Sequence, residues 1–103
     1  MPGFIGGNVT AAANTGNFTQ LRSTSVAALA TQQIINTKIC IGSANNIILQ
    51  LDSDASGSNT TYQSSLLTGT PNNWIDLGQV DPSRVWVRAS TTTTTTVHWV
   101  CTW

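Results

Sequence analysis

The side chains able to carry chemistry are few. They are one histidine (His98), two cysteines (Cys40 and Cys101) and four aspartates (Asp52, Asp54, Asp76 and Asp81), with no glutamate. Nucleophilic catalysis needs a hydroxyl or thiol beside a base that an acid orients. Serine and threonine are too abundant here to single out a nucleophile, and no G-x-S-x-G, H-x-x-E or phosphate-loop pattern occurs. Paired carboxylates would have to come from Asp52 with Asp54, or from Asp76 with Asp81. His98 and Cys101 lie three apart, a separation that sends strand residues to opposite faces, and neither cysteine has a second ligand at C-x-x-C spacing. The stretch DSDASGSNTTYQ puts Asp52, Asp54, Ser56 and Gly57 at positions 1, 3, 5 and 6 of a calcium loop. Position 12 is Gln63, where a bidentate Glu is required, so the stretch reads as a solvated hairpin loop. The expectation is no catalytic residue, no cofactor and no metal, and hence no enzyme.

Composition narrows the function further. The chain has 103 residues, four Lys+Arg against four Asp+Glu, a formal net charge of +0 and only 8% charged residues. Such a chain lacks the basic field that phosphate binding needs, which disfavours nucleic acid. No apolar run approaches the roughly 20 residues of a membrane span. The stretch from Met1 to Thr19 has neither a basic segment nor a continuous apolar one, so nothing in it marks secretion. Cys40 and Cys101 are accordingly read as buried, reduced thiols, with a disulfide closing a loop of about 60 residues as the alternative.

Two regions stand apart. Residues 1–17, MPGFIGGNVTAAANTGN, are uncharged and rich in Gly, Ala and Asn, with Phe4 and Ile5 as the large apolar anchors. They read as an extended N-terminal arm ahead of a domain spanning 18–103, with Phe4 and Ile5 as pegs for a neighbouring subunit. The rest falls into β-prone clusters: Phe18–Arg22, Ser25–Ala30, Ile34–Ile41, Asn46–Leu51, Thr60–Leu67, Trp74–Leu77, Ser83–Ala89 and Thr95–Trp103. Gly, Pro, Asn and Asp separate them at the spacing of a single small antiparallel β-sandwich.

The last two clusters alternate cleanly. Val85 and Val87 share one face and Arg84, Trp86 and Arg88 the other; Val97, Trp99, Cys101 and Trp103 oppose His98, Val100 and Thr102. These two clusters read as a strand pair, with the threonine run Thr91–Thr96 as an exposed hairpin or edge strand. With the valines inward, Arg84, Trp86 and Arg88 form an outward face of the residue types enriched at interface hot spots. Trp99 belongs to the core and His98 to a partly exposed position. Trp103 is either a core plug or a contact with a neighbour.

The opening NFTQLRSTSVAALATQQIINTKICIG and the close NNWIDLGQVDPSRVWVRASTTTTTTVHWV, behind a short arm, resemble the small β-sandwich virion proteins of tailed bacteriophages. The resemblance covers nearly the whole body as pattern and composition. It implies a jelly-roll-like sandwich that cements or decorates the capsid, and a homo-oligomer, dimer or trimer. Its partners would be the major capsid protein or other virion proteins, and its place the capsid surface after assembly in the host cytoplasm. Phe4, Ile5, Phe18, Arg84, Trp86, Arg88 and Trp103 are the expected interface residues. The alternatives are a head-tail adaptor, a tail or fibre subunit, or a carbohydrate-binding sandwich in which Trp74 and Trp86 stack on sugar rings.

Overall fold

The computed structural model describes residues 3–24, 36–42, 46–63 and 73–103. These form β1 (Phe4–Ala11), β2 (Thr19–Gln20), β3 (Asn36–Ile41), β4 (Ile47–Leu51), β5 (Tyr62–Gln63), β6 (Trp74–Asp76), β7 (Val85–Ala89) and β8 (Thr95–Thr102). A 3-10 turn, Pro82–Arg84, leads into β7; Asp81 caps it by accepting from the Ser83 N–H. The Ser25–Ala30 cluster lies outside the described residues.

The strands build two antiparallel four-stranded sheets, ordered β1-β8-β3-β6 and β2-β7-β4-β5. The chain changes sheet at every step except β4 to β5, giving the connectivity of a jelly-roll sandwich. Sequence alternation fixes which side of each strand is dry. Ile39, Ile41, Val97, Trp99 and Cys101 of the first sheet face Ile47, Leu49, Val85 and Val87 of the second in one core cluster. Val85, Val87 and Ala89 are fully buried, as the alternation requires. Thr37 enters the same layer because its hydroxyl donates to the Val80 carbonyl, which removes the cost of burying it.

Three expectations are corrected. Residues 4–11 are extended, but they are no free arm: β1 pairs with β8 along its whole length, from Phe4↔Thr102 to Ala11↔Thr95, and Ala11 is fully buried. Its alternation, Ile5-Gly7-Val9-Ala11, fits a half-buried strand once a neighbour is present, and that neighbour lies almost a whole chain away. The β7 and β8 clusters are not a hairpin. β7 pairs with β2 and β4, and β8 with β1 and β3, so the threonine run crosses between sheets. Strand alternation is the same for a hairpin and a crossover, which is why the sequence did not separate them. Arg84, finally, lies in the 3-10 turn rather than in the strand beside Trp86.

Cys40 and Cys101 are free and buried. Cys101 shares an inward register position with Thr37 of β3, while Cys40 pairs with outward-facing His98, so the two thiols point to opposite sides of one sheet. Burial pushes the Cys101 thiol up from its ordinary value.

Candidate functional site

Each sheet has an outer face, and the two differ. On the second sheet the rows across the strands are read from register. Gln20, Trp86, Gln50 and Gln63 form one row, and Arg88 stands beside Ile48 in the next. Gln50 is buried and heavily bonded: its amide donates to the Gly57 carbonyl at 3.1 Å and to Gln63 Oε1 at 2.5 Å, and its oxygen accepts from the Ser53 hydroxyl. The Gln20 amide donates to the Ser83 carbonyl at 2.5 Å. Trp86 is therefore half-buried in a row of glutamines already committed to partners.

The arginines are committed too. Arg84 makes a two-pronged contact with Asp52, Nε to Oδ1 at 2.7 Å and Nη2 to Oδ2 at 2.7 Å. The Arg88 guanidinium sits 4.4 Å from the centre of the Phe18 ring, a cation–π stack. The loop 52–60 covers Phe18, whose N–H donates to the Ala55 carbonyl and which is only 5% exposed. Arg88 of the Trp86 strand is brought onto Phe18, but Phe18 is sealed by its own loop and both Arg84 and Arg88 hold internal partners. Sequence reasoning had no means of seeing that loop fold back.

The outer face of the first sheet is more open. Register places Phe4, Gly6, Asn8 and Thr10 of β1 beside Thr102, Val100, His98 and Thr96 of β8, then Asn36, Lys38 and Cys40 of β3, then Asp76 and Trp74 of β6. Phe4 is 76% exposed and Trp74 50%, and with Tyr62 they are the exposed large apolar side chains among the described residues. Charge is confined to Lys38 and Asp76, directly opposite one another. Ile5 behaves otherwise than expected of a peg, and Trp103 takes the core-plug alternative: both are partly buried and pack against the core, with Gly3 and Trp103 exchanging backbone hydrogen bonds of 2.8 and 3.0 Å. Phe4 alone of the expected arm contacts is available.

A cleft of about 390 Å³ opens between the sheets beside β5 and β6, lined by Leu49, Leu51, Tyr62, Ile75, Asp76, Leu77 and Val80. Its described lining is apolar apart from Asp76 and the Tyr62 hydroxyl. Among the described residues no three of His, Cys, Asp and Glu converge where a metal could be held. No helix among them is long and apolar enough to cross a membrane. The loop Asp54–Asn59 is closed on itself: the Asp54 carboxylate accepts from the Ser56 hydroxyl at 2.6 Å, the Gly57 N–H at 2.9 Å and Asn59 at 2.9 Å. That internal bonding is turn chemistry, as the sequence indicated.

The Arg84 hydrogen bond holds the Asp52 carboxyl below the usual carboxylate range; the Thr61 hydroxyl at 3.0 Å acts the same way and slight burial opposes both. A depressed folded value means the pair contributes fully above about pH 4, the unfolded aspartate value, and is lost as pH falls through the lower folded one. Both side chains are largely in water, so the contribution is at most about 1 kcal/mol. Thermal unfolding followed from roughly pH 6 to pH 2 should show Asp52→Asn less stable than the parent at the upper end. The difference should close towards the acid end, and a constant gap would deny the pair any role.

Neither a known family model nor a curated protein matches this chain. Trp74 and Tyr62 are the surface residues the sequence reading undervalued. The signal available for Trp74 was its place in the short cluster WIDL, too brief to be a central strand.

Proposed function

We propose that this protein is a structural component of a tailed-phage virion, a capsid cement or decoration protein that binds between major capsid subunits. The observation that carries the reading is the outer face of the first sheet. Two of the exposed aromatic side chains, Phe4 and Trp74, stand on a four-stranded surface with one lysine and one aspartate. A face of that kind binds by shape, aromatic anchors and backbone pairing, and draws little on long-range charge. Jelly-roll sandwiches serve in viral capsids among other settings, so the fold is compatible with the role without establishing it. The resemblance of the strand-rich body to small virion proteins supplies the phage setting, with the capsid surface as location. The docking face is moved from Trp86 and its flanking Arg84 and Arg88, both of which hold internal partners, to Phe4 and Trp74.

Electron microscopy of phage heads assembled with and without the chain tests this. Added density at capsid-subunit boundaries is the expected result. Replacing Phe4 and Trp74 together with alanine should cut occupancy about tenfold or more, since anchors of this type each carry on the order of 1–2 kcal/mol. Density at the portal, tail or fibre would assign another virion role, and no density on any particle would end the proposal.

A second reading is favoured by the half-exposed Trp74, which stands two residues from Asp76, whose carboxylate accepts from Asn36 at 3.3 Å. An aromatic platform beside polar groups suits a sugar ring, and jelly rolls also occur as lectins. Titration with mono- and oligosaccharides, followed by tryptophan fluorescence in the parent and in Trp74→Ala, separates the two. A saturable change lost in the variant supports sugar binding.

A further inference from the structure

We propose that two copies of this chain pair through the edges of β1 that no described strand occupies, antiparallel about a two-fold axis at Gly6, joining their first sheets into one. The inference stands on the geometry of the edge and does not depend on the virion reading.

Gly3 and Trp103 exchange both backbone hydrogen bonds, which fixes the phase of the β1–β8 ladder. In an antiparallel ladder bonded pairs alternate, so Ile5, Gly7, Val9 and Ala11 spend their N–H and C=O groups on β8. Phe4, Gly6 and Asn8 aim theirs away, at an edge where no described strand pairs. Thr10 faces the same way, but its carbonyl accepts from the Thr19 hydroxyl at 3.4 Å.

An eight-residue edge strand is a template for another chain, and proteins normally blunt such edges with charge, proline, a bulge or brevity. Two other outer strands use brevity: β2 has two residues, and β6 has three and ends on Asp76. The sequence of β1, FIGGNVTA, contains no charge and no proline.

The occupant that fits is β1 itself. With Gly6 opposite the partner's Gly6, Phe4 meets the partner's Asn8 and Asn8 meets the partner's Phe4, so all outward groups of the three residues are used. No like charges meet, because β1 has none and the chain's net charge is +0. Glycine on the axis leaves the backbone bare there. Phe4, 76% exposed in the single chain, then lies diagonally across from the partner's Gly6 and can cover it. Pairing of like with like closes after two copies and uses up the longest outer edge among the described strands.

Sedimentation equilibrium of the whole chain at rising concentration should reach twice the 10.9 kDa of a single chain. Amide exchange at Phe4, Gly6 and Asn8 should slow over the same range, while Ile5 and Gly7 are protected throughout. Asn8→Pro removes an outward N–H that β8 does not use and should leave a folded single chain. Two charged variants check the register independently of proline. F4D with N8K sets opposite charges across the axis and should keep the dimer, whereas F4K with N8K sets like charges and should weaken it about tenfold or more. A chain that stays single at millimolar concentration, a trimer, or equal association by the two charged variants overturns the proposal.

Discussion

Trp99→Ala should lower the stability of the domain by about 3–5 kcal/mol, the range for emptying a large aromatic site in a core. That is a large part of the roughly 5–15 kcal/mol such a domain possesses. Trp99 stands in the middle of an inward row running Gly7, Trp99, Ile39, Ile75 across all strands of the first sheet. The indole lies over Gly7 so closely that a Cβ there would come within 3.3 Å of Nε1. Neighbours therefore cannot simply collapse into the gap: the nearest one has no side chain, and Ile39 and Cys101 are held by their own ladders. The urea midpoint should fall by about 1–5 M, given a dependence on urea of about 1–3 kcal/mol/M for a small protein. Trp74→Ala, half in solvent, should move the same midpoint by a fraction of that. Equal shifts for the two tryptophans would contradict the assignment of Trp99 to the interior.

Gly57→Ala should be the costliest single-methyl change. Gly57 has φ +73, a left-handed backbone that costs a residue with a Cβ about 1–2 kcal/mol. The new methyl would also stand 2.5 Å from Phe18 Cε1, and the ring cannot retreat easily because the Arg88 guanidinium stacks on it. Overpacking of that kind adds about 1–3 kcal/mol. The expected total, about 2–5 kcal/mol, should be readable as a lowered urea midpoint. Gly78→Ala is the control: its φ is +80, but nothing lies within 4 Å of the added carbon, so it should show the backbone cost alone. If the two variants lose equal stability, the loop does not press on Phe18 as described.

Much of the architecture could be read from residue patterns. The alternation in Val85–Ala89 and Thr95–Thr102 named the buried side of both strands correctly, because a period of two has one dry solution once valines and a tryptophan share a parity. The polar loop between β4 and β5 was equally legible, since Asp, Ser, Gly and Asn carry turn chemistry locally. What stayed hidden was long-range. Nothing in Phe4–Ala11 announces that its partner is Thr95–Thr102, because an uncharged Gly-rich strand looks like a tail until the ladder partner is in place. The same cause hid the surface. Whether Arg84 or Arg88 is free depends on Asp52 and Phe18, brought to them by pairings across 32 and 70 positions, and spacing within one strand says nothing of that. The half-exposed Trp74 was visible as a tryptophan but not as an edge residue.

The central place of β8 in the first sheet bears on how the molecule is made. This strand, the last in the chain order, is the one that both β1 and β3 are waiting for. During synthesis the earlier segments leave the ribosome first, yet that sheet has no middle until Thr95–Thr102 has followed them. Closing a loop that long is entropically slow, and meanwhile two strands present naked flanks to whatever is nearby. Loss of Thr95–Thr102 would therefore leave not a shortened domain but one sheet without its central strand, and a nascent chain with every reason to be met by a chaperone.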